Sequence, residues 1–70
     1  MKKLSCRELE LIKYSAKGFT VKEIAKLTGL EPGTIQAYMI NARKKLQAKN
    51  IAHAVFIAFK ENMINELSLD

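Results

Sequence analysis

Two helix-start signals of the same kind constrain the fold of the first part of the chain. Ser5 precedes Glu8 by three residues, and Thr20 precedes Glu23 by the same spacing. In such a capping box the hydroxyl and the carboxylate each accept a hydrogen bond from an otherwise unpaired N–H of the first turn. Helices are therefore predicted to begin just after each hydroxyl residue. Glu8 also falls on the apolar side of its helix, so it either only caps or also packs against a basic side chain from another helix.

The ends of these helices are predicted by glycine and proline. Gly18 and Gly29 stand where a left-handed residue commonly ends a helix, and Pro32 suits the first position of the next one. The first two helices are therefore predicted at about 6–16 and 21–28.

The spacing across the second and third helices is typical of a helix-turn-helix. Ala25 is small enough for a second helix to cross closely, and Gly29 permits the positive φ of a tight turn. Ile35 follows six residues later and can fill the crossing. Any one of these residues is weak support, but the combination favours two helices held at a steep angle.

A third helix is predicted at about 32–47, with two distinct faces. At 100° per residue the core face carries Ile35, Tyr38, Met39, Ala42 and Leu46, and the opposite face carries Gly33, Gln36, Ala37, Ile40 and Lys44. A glutamine amide can pair with the adenine edge in the major groove of DNA, and alanine and isoleucine methyl groups can contact thymine methyl groups. The alternative is that Ile40 belongs to a wider core and that Gln36 is ordinary surface.

The positive charge of the chain is concentrated in one segment. From Pro32 to Lys60 there is no Asp or Glu, and the five cations of this segment equal the formal net charge of +5 of the whole chain. Such a segment suits a polyanion. The cations expected to contact DNA phosphates are Arg43, Lys44, Lys45 and Lys49. The alternative is a solvated helix end whose cations match the helix dipole.

A fourth helix is predicted at about 51–63, after the N-cap residue Asn50, and it is apolar nearly all round. The core side is expected to carry Ile51, Ala54, Val55 and Ala58, with Phe59 at its edge. The remaining apolar surface predicts a two-fold interface with a second copy of the chain, formed by His53, Phe56, Ile57 and Lys60. The alternative is a central helix that other helices wrap completely, but a chain this short has few helices for that.

Length and cysteine content restrict the remaining possibilities. Seventy residues predict one domain over 1–70 with a small core. One Cys and one His supply neither an internal disulfide nor a zinc site, so we expect no metal and no cofactor. The sequence shows no signal peptide and no membrane span, which favours a reducing cytoplasm. An enzyme is not expected, because no nucleophile stands in a pattern with a base and an orienting acid.

Four stretches together resemble the LuxR-type helix-turn-helix, also called the GerE type. They read LSCRELELI, AKGFTVKEIAKLTGL, TIQAYMINARKKL and NIAHAV, and they extend over about residues 4–64. The resemblance implies a bacterial four-helix transcription-factor domain that reads DNA with its third helix and dimerises through its last. Its base-reading positions fall on Gln36, Ala37 and Ile40, and its backbone-contacting positions fall on Thr20, Lys22, Thr34, Lys44 and Lys45.

The sequence departs from the family pattern at four positions, which are Cys6, Glu31, Tyr38 and Ile51. Glu31 stands where a Ser or Thr cap is usual, and an acid there repels phosphates although it suits a helix N-terminus. Because Met1 leads directly into the first helix, the chain is expected to be a stand-alone regulator, controlled by its abundance or by a partner protein, or else a domain of a longer protein. The alternative function is a protein-interaction module, an anti-activator that binds a related regulator through the fourth helix instead of DNA.

Overall fold

The computed structural model describes residues 3–61 and 63, and its regular elements within these residues are four α-helices. They are α1 (Cys6–Ala16), α2 (Val21–Thr28), α3 (Pro32–Leu46) and α4 (Ile51–Lys60). The predicted all-α fold is confirmed, and α1 and α2 have the predicted bounds. The domain expected over 1–70 includes residues 1–2, 62 and 64–70, which lie outside the described part. None of the helices in that part combines the length and the apolar character needed to cross a membrane.

The helix starts form as the sequence predicts. The Glu8 N–H donates to Ser5 Oγ at 3.2 Å, and the Ser5 N–H donates to Glu8 Oε1 at 2.9 Å. The second capping box has the same two bonds, at 3.2 Å and 2.8 Å, between Thr20 and Glu23. Asn50 caps α4, since its Oδ1 accepts the N–H of the third helical residue at 2.8 Å. Because these bonds join residues three apart, they form from the local sequence alone.

The ends of α1 and α2 also follow the prediction. Gly18 has φ of 89° and Gly29 has φ of 76°, both in the left-handed region that glycine adopts without steric cost. After Gly18, the Phe19 N–H bonds back to the Tyr14 carbonyl at 3.1 Å and satisfies an acceptor of the last turn of α1. Both glycines therefore turn the chain sharply between helices.

α3 ends one residue, and α4 three residues, before the approximate ends that the sequence predicts. The third helix was predicted to reach residue 47, but Gln47 is left-handed, with φ of 56°, and α3 ends at Leu46. The fourth was predicted to reach residue 63, but α4 ends at Lys60. The Met63 N–H bonds to the Ala58 carbonyl at 2.8 Å, five residues back, which closes the helix end instead of extending it.

The packing is centred on α3, which contacts each of the other three helices, while α1 also packs against α4. The core has two clusters. The buried residues of the first, between α1, α3 and α4, are Leu4, Ile12, Ala42, Leu46, Ala54 and Ala58. Those of the second, between α1, α2 and α3, are Leu11, Ile24, Ile35 and Met39. Ala25 packs against the second cluster and Ile35 is completely buried in it, as the helix-turn-helix spacing predicts.

Candidate nucleic-acid interface

The outward face of α3 presents Gln36, Ala37 and Ile40 to solvent. Its orientation is fixed by Ile35 and Met39, which are buried in the core on the opposite side of the same turns. Ile40 is 44% exposed, so it is a surface residue and does not belong to a wider core. We refer to Gln36, Ala37 and Ile40 as the reading face. The structure brings these three predicted residues together on one exposed surface, and their role in reading bases stays a prediction.

A shallow apolar depression of about 280 Å³ lies on the flank of α3 and includes Gln36 and Ile40 of the reading face. It is lined by Val21, Gln36, Met39, Ile40, Arg43 and Ile51. Sequence reasoning did not identify Val21 and Ile51 as site residues, because they are the first residues of α2 and α4 and only the folded chain brings them to α3. The one available signal was that Ile51 stands where the family usually has a basic residue.

The residues predicted to contact the DNA backbone lie in different surroundings. Lys44 and Lys49 are exposed, as are Lys22 and Thr34 near the starts of α2 and α3. Arg43 is half-buried at the depression. Thr20 is exposed as well, although its hydroxyl oxygen already accepts the capping hydrogen bond of α2. The arrangement is a set of cations and hydroxyl groups around the helix that carries the reading face.

Lys45 differs from the other predicted phosphate contacts because it forms an ion pair inside the domain. Its Nζ lies 2.8 Å from Glu8 Oε1, and Glu8 is only 4% exposed. The prediction that Glu8 packs against a basic side chain as well as capping is therefore confirmed. Burial alone raises the pKa of Glu8, but hydrogen bonds from Lys45 and from the Ser5 N–H outweigh it, so the pKa lies below its ordinary value.

Glu31 lies at the entrance to α3, in the extended backbone conformation of a cap residue, and is exposed. Its side chain makes no capping hydrogen bond to the described part of the helix. Pro32 follows at the first helical position, where its lack of an N–H costs nothing. The geometry thus gives the Glu31 side chain no hydrogen-bond partner in the cap of α3.

The outward face of α4 is apolar. Phe56 is 60% exposed and Phe59 is 52% exposed. Lys60, also predicted in the interface, is exposed, and His53 is partly exposed, with its Nδ1 accepting the Lys49 N–H at 3.0 Å. We refer to Phe56 and Phe59 as the aromatic pair of α4.

The structure corrects the predicted orientation of α4 in two respects. Phe59 was expected at the edge of the core, but about half of it is exposed, whereas Ile57 was expected outside the core and packs partly against the first core cluster. The cause is that Ala54 and Ala58, both fully buried, fix the inward face. Ile57 follows Ala54 by three positions and lies beside that face, while Phe56 lies opposite.

Comparison with known proteins identifies relatives over most of the chain. The GerE family, described as "Bacterial regulatory proteins, luxR family", matches residues 2–58. Response regulator protein VraR from Staphylococcus aureus, Staphylococcus saprophyticus and Staphylococcus epidermidis is 33% identical over 61 residues in each case. The aligned region covers 87% of this chain and 29% of each relative. The chain therefore spans less than a third of the length of these relatives.

Proposed function

The chain belongs to the luxR family of bacterial regulatory proteins, and on that premise we propose that it is a sequence-specific DNA-binding transcription regulator that reads the major groove with α3. The observation that carries the proposal is the exposed reading face on α3, a helix that contains no Asp or Glu from Pro32 to Leu46. A face of this composition, surrounded by cations, suits the edges of bases between two phosphate backbones. The expected place of action is the bacterial cytoplasm, where the chromosome lies.

Each residue of the reading face has a distinct proposed role. The Gln36 amide donates to adenine N7 and accepts from adenine N6, a bidentate pairing that distinguishes adenine from the other bases. Ala37 and Ile40 contact thymine methyl groups, and the small size of Ala37 lets the helix backbone approach the groove floor. The sequence preference is therefore expected to be for A·T pairs at the centre of each half-site.

The phosphate contacts are proposed to supply affinity without sequence information. Arg43, Lys44 and Lys49 flank the reading face on α3 and the loop that follows it. The α2 side and the start of α3 contribute Thr20, Lys22 and Thr34. For Lys45 we expect a smaller contribution than for Lys44, because its ammonium group is already bound to Glu8.

DNA binding is tested by measuring fluorescence anisotropy of labelled duplexes over a range of salt concentrations. Affinity is expected to fall steeply as salt rises, because the cations displace counterions from the phosphates. Lys44→Ala should weaken binding to all sequences alike, whereas Gln36→Ala should relax the preference at one base pair per half-site, at a cost of about 1–3 kcal/mol on the preferred sequence. A flat salt response, or no binding to random duplex at low salt, contradicts the proposal.

Selection of bound sequences from a random DNA pool tests specificity and symmetry together. A two-fold dimer is expected to select two inverted half-sites whose centres are separated by about one helical turn, roughly 10 base pairs. Selection of a single half-site without symmetry would contradict the dimeric mode of binding and leave DNA binding itself intact.

We further propose that α4 forms the two-fold interface. The aromatic pair, with Ile57, His53 and Lys60 around it, exposes an apolar surface in a domain that has only a small core. Because Phe56 and Phe59 are 60% and 52% exposed, a partner can remove more than half of the surface of each residue from water. The two copies of α4 are expected to pack against each other through Phe56 and Phe59.

The interface is tested by sedimentation of Phe56→Glu. This change is expected to convert a dimer into a monomer, because two carboxylates would be forced into an apolar contact. Leu27→Glu is the matched control, since Leu27 is 57% exposed on α2, and it should leave the dimer intact. A wild-type protein that sediments as a monomer at high concentration contradicts the interface.

The aromatic pair also favours a second candidate function, that of an interaction module that binds a related regulator through α4 instead of DNA. Both functions use α4, so only the reading face separates them. An interaction module gains nothing from keeping α3 free of acids. Salt-dependent DNA binding that Lys44→Ala weakens supports the regulator, whereas a protein that binds a related regulator but no duplex supports the second candidate.

A further inference from the structure

The depression shares Gln36 and Ile40 with the reading face and is lined by residues of two kinds. Its apolar residues, to which we refer as its floor, are Met39 and Ile40 from α3 together with Val21 and Ile51, the first residues of α2 and α4. Its polar residues are Gln36 and Arg43. Three helices thus build a small apolar surface that includes part of the face proposed to read DNA.

This chemistry selects the kind of group that can occupy the depression. A water molecule on an apolar floor finds few hydrogen-bond partners, so displacing it by an apolar group is favourable. The lining includes no acid and contains the cation Arg43, which suits an apolar group that belongs to an anionic molecule. Duplex DNA is such an anionic molecule, since its backbone carries a negative charge at every phosphate.

Among the groups that DNA presents in the major groove, only one is apolar. The edges of adenine, guanine and cytosine carry N7, O6, N6 and N4 atoms that need hydrogen-bond partners, while thymine adds a C5-methyl group. A polar edge placed against the floor would lose its water without a replacement. A thymine methyl group forms no hydrogen bonds with water, so burying it against the floor breaks none.

We propose that the depression receives the C5-methyl group of one thymine in each DNA half-site, and that Val21 and Ile51 are specificity-determining residues in addition to the reading face. The inference rests on the proposed DNA-binding function and adds to it a thymine subsite formed by residues of α2 and α4. Arg43, which also lines the depression, holds the adjoining strand by its charge.

The first test changes only the DNA. Each thymine of a selected half-site is replaced in turn by uracil, which lacks only the C5-methyl group, and affinity is measured for the unchanged protein. One position per half-site is expected to weaken by about three- to five-fold, the loss that corresponds to burying one methyl group.

Ala37 and Ile40 can also make binding sensitive to uracil, so a second test is needed to show which sensitive position contacts the depression. For Val21→Ala, the affinity for the thymine duplex divided by the affinity for the uracil duplex should fall towards one at the base position that contacts the depression. At all other positions this ratio should stay unchanged. Leu27→Ala, on the same helix but not in the lining, is the matched control and should alter no ratio. Ile51→Ala provides an independent variant from α4, and circular dichroism checks that each variant folds.

The outcomes separate this inference from the proposed function. Salt-dependent binding without a uracil-sensitive thymine overturns the subsite and leaves DNA binding intact. A sensitive thymine whose ratio neither Val21→Ala nor Ile51→Ala changes overturns it as well, since the methyl group then lies on the reading face. The absence of any duplex binding refutes the proposed function itself.

Discussion

The ion pair between α1 and α3 leads to a specific expectation for Lys45→Met. Glu8 Oε1 accepts hydrogen bonds from Lys45 Nζ at 2.8 Å and from the Ser5 N–H at 2.9 Å, and Glu8 is 4% exposed. The methionine keeps the apolar stem of the lysine and removes its ammonium group. The variant therefore leaves a buried carboxylate whose charge is no longer paired.

The loss of stability expected for Lys45→Met lies between the values for fully buried and for exposed ion pairs. Removing one partner of a fully buried ion pair costs about 3–5 kcal/mol, while exposed pairs contribute about 0–1 kcal/mol. The Glu8 side chain is 5% exposed and the Lys45 side chain 31%, so we expect about 2 kcal/mol for Lys45→Met at pH 7. For a chain of this size that is a fall in Tm of roughly 8–16 °C.

The complementary change, Glu8→Gln, is expected to cost less. The glutamine oxygen still accepts the Ser5 N–H, and the Lys45 ammonium can turn to water because its side chain is partly exposed. We expect a cost of about 1 kcal/mol, the net contribution of a typical hydrogen bond, because the freed ammonium group regains its hydration. Adding Lys45→Met to Glu8→Gln should cost little more, because no buried charge remains. The double variant is therefore expected to be more stable than Lys45→Met alone.

The same reasoning predicts a pH dependence with a definite sign. In the wild type the pKa of Glu8 is lowered, because hydrogen bonds from Lys45 and Ser5 outweigh the burial that raises it. A lowered folded-state pKa stabilises the fold above the unfolded pKa of about 4.3, and this contribution is lost as the pH falls through the folded pKa. In Lys45→Met burial is expected to dominate and to raise that pKa. The difference in stability between the two proteins should then be largest at pH 7 and small at pH 3.

Urea unfolding followed by far-ultraviolet circular dichroism measures these differences. Wild type, the two single variants and the double variant are compared at pH 7 and pH 3, so that acid effects on other carboxylates cancel within each pH. The reasoning is refuted if Lys45→Met loses as much stability at pH 3 as at pH 7, or if it loses less than Glu8→Gln at pH 7.

Two further expectations concern the left-handed residues. Gln47→Gly should stabilise the protein by about 0.5–1 kcal/mol, because glycine adopts the φ of 56° at the end of α3 without steric cost. A loss of stability in urea unfolding would show that the Gln47 side chain stabilises the fold by more than its left-handed backbone destabilises it. Gly29→Ala should destabilise by about 1–2 kcal/mol from its φ of 76° alone, since a Cβ there meets no neighbouring atom. A loss well above that range in thermal unfolding would contradict this open surrounding.

The parts of the fold that the sequence predicted are those set by local hydrogen bonds. The capping boxes and the two glycines define α1 and α2 because each signal acts within a few residues. α3 ends one residue before the predicted 47, because Gln47 is left-handed, and a glutamine carries no intrinsic preference for that backbone. There the Ala48 N–H bonds to the Arg43 carbonyl at 2.9 Å, a closure that no residue type in this stretch signals.

The surroundings of two α4 residues and the depression could not be predicted, for a different reason. The core side expected at Ile51, Ala54, Val55 and Ala58 is confirmed. In a helix that is apolar nearly all round, however, the pattern does not decide whether Ile57 or Phe59 lies nearer the core. The depression requires Val21 and Ile51 to meet α3, and these contacts join parts of the chain that are distant in sequence. A single sequence contains no local pattern from which contacts between distant parts of the chain can be predicted.

The cations of α3 show why a count of charges overstates the proposed phosphate interface. Lys44 and Lys45 are neighbours in sequence, but successive helical residues point about 100° apart. Lys44 therefore faces solvent beside the reading face, while Lys45 turns towards α1 and binds the buried Glu8. Each phosphate contact contributes about 0.9 to the slope of log affinity against log salt. Lys44→Ala should reduce that slope by about one, and Lys45→Met should leave it unchanged if the ion pair persists in the complex. An equal reduction by both variants would mean that DNA phosphates displace Glu8 as the partner of Lys45.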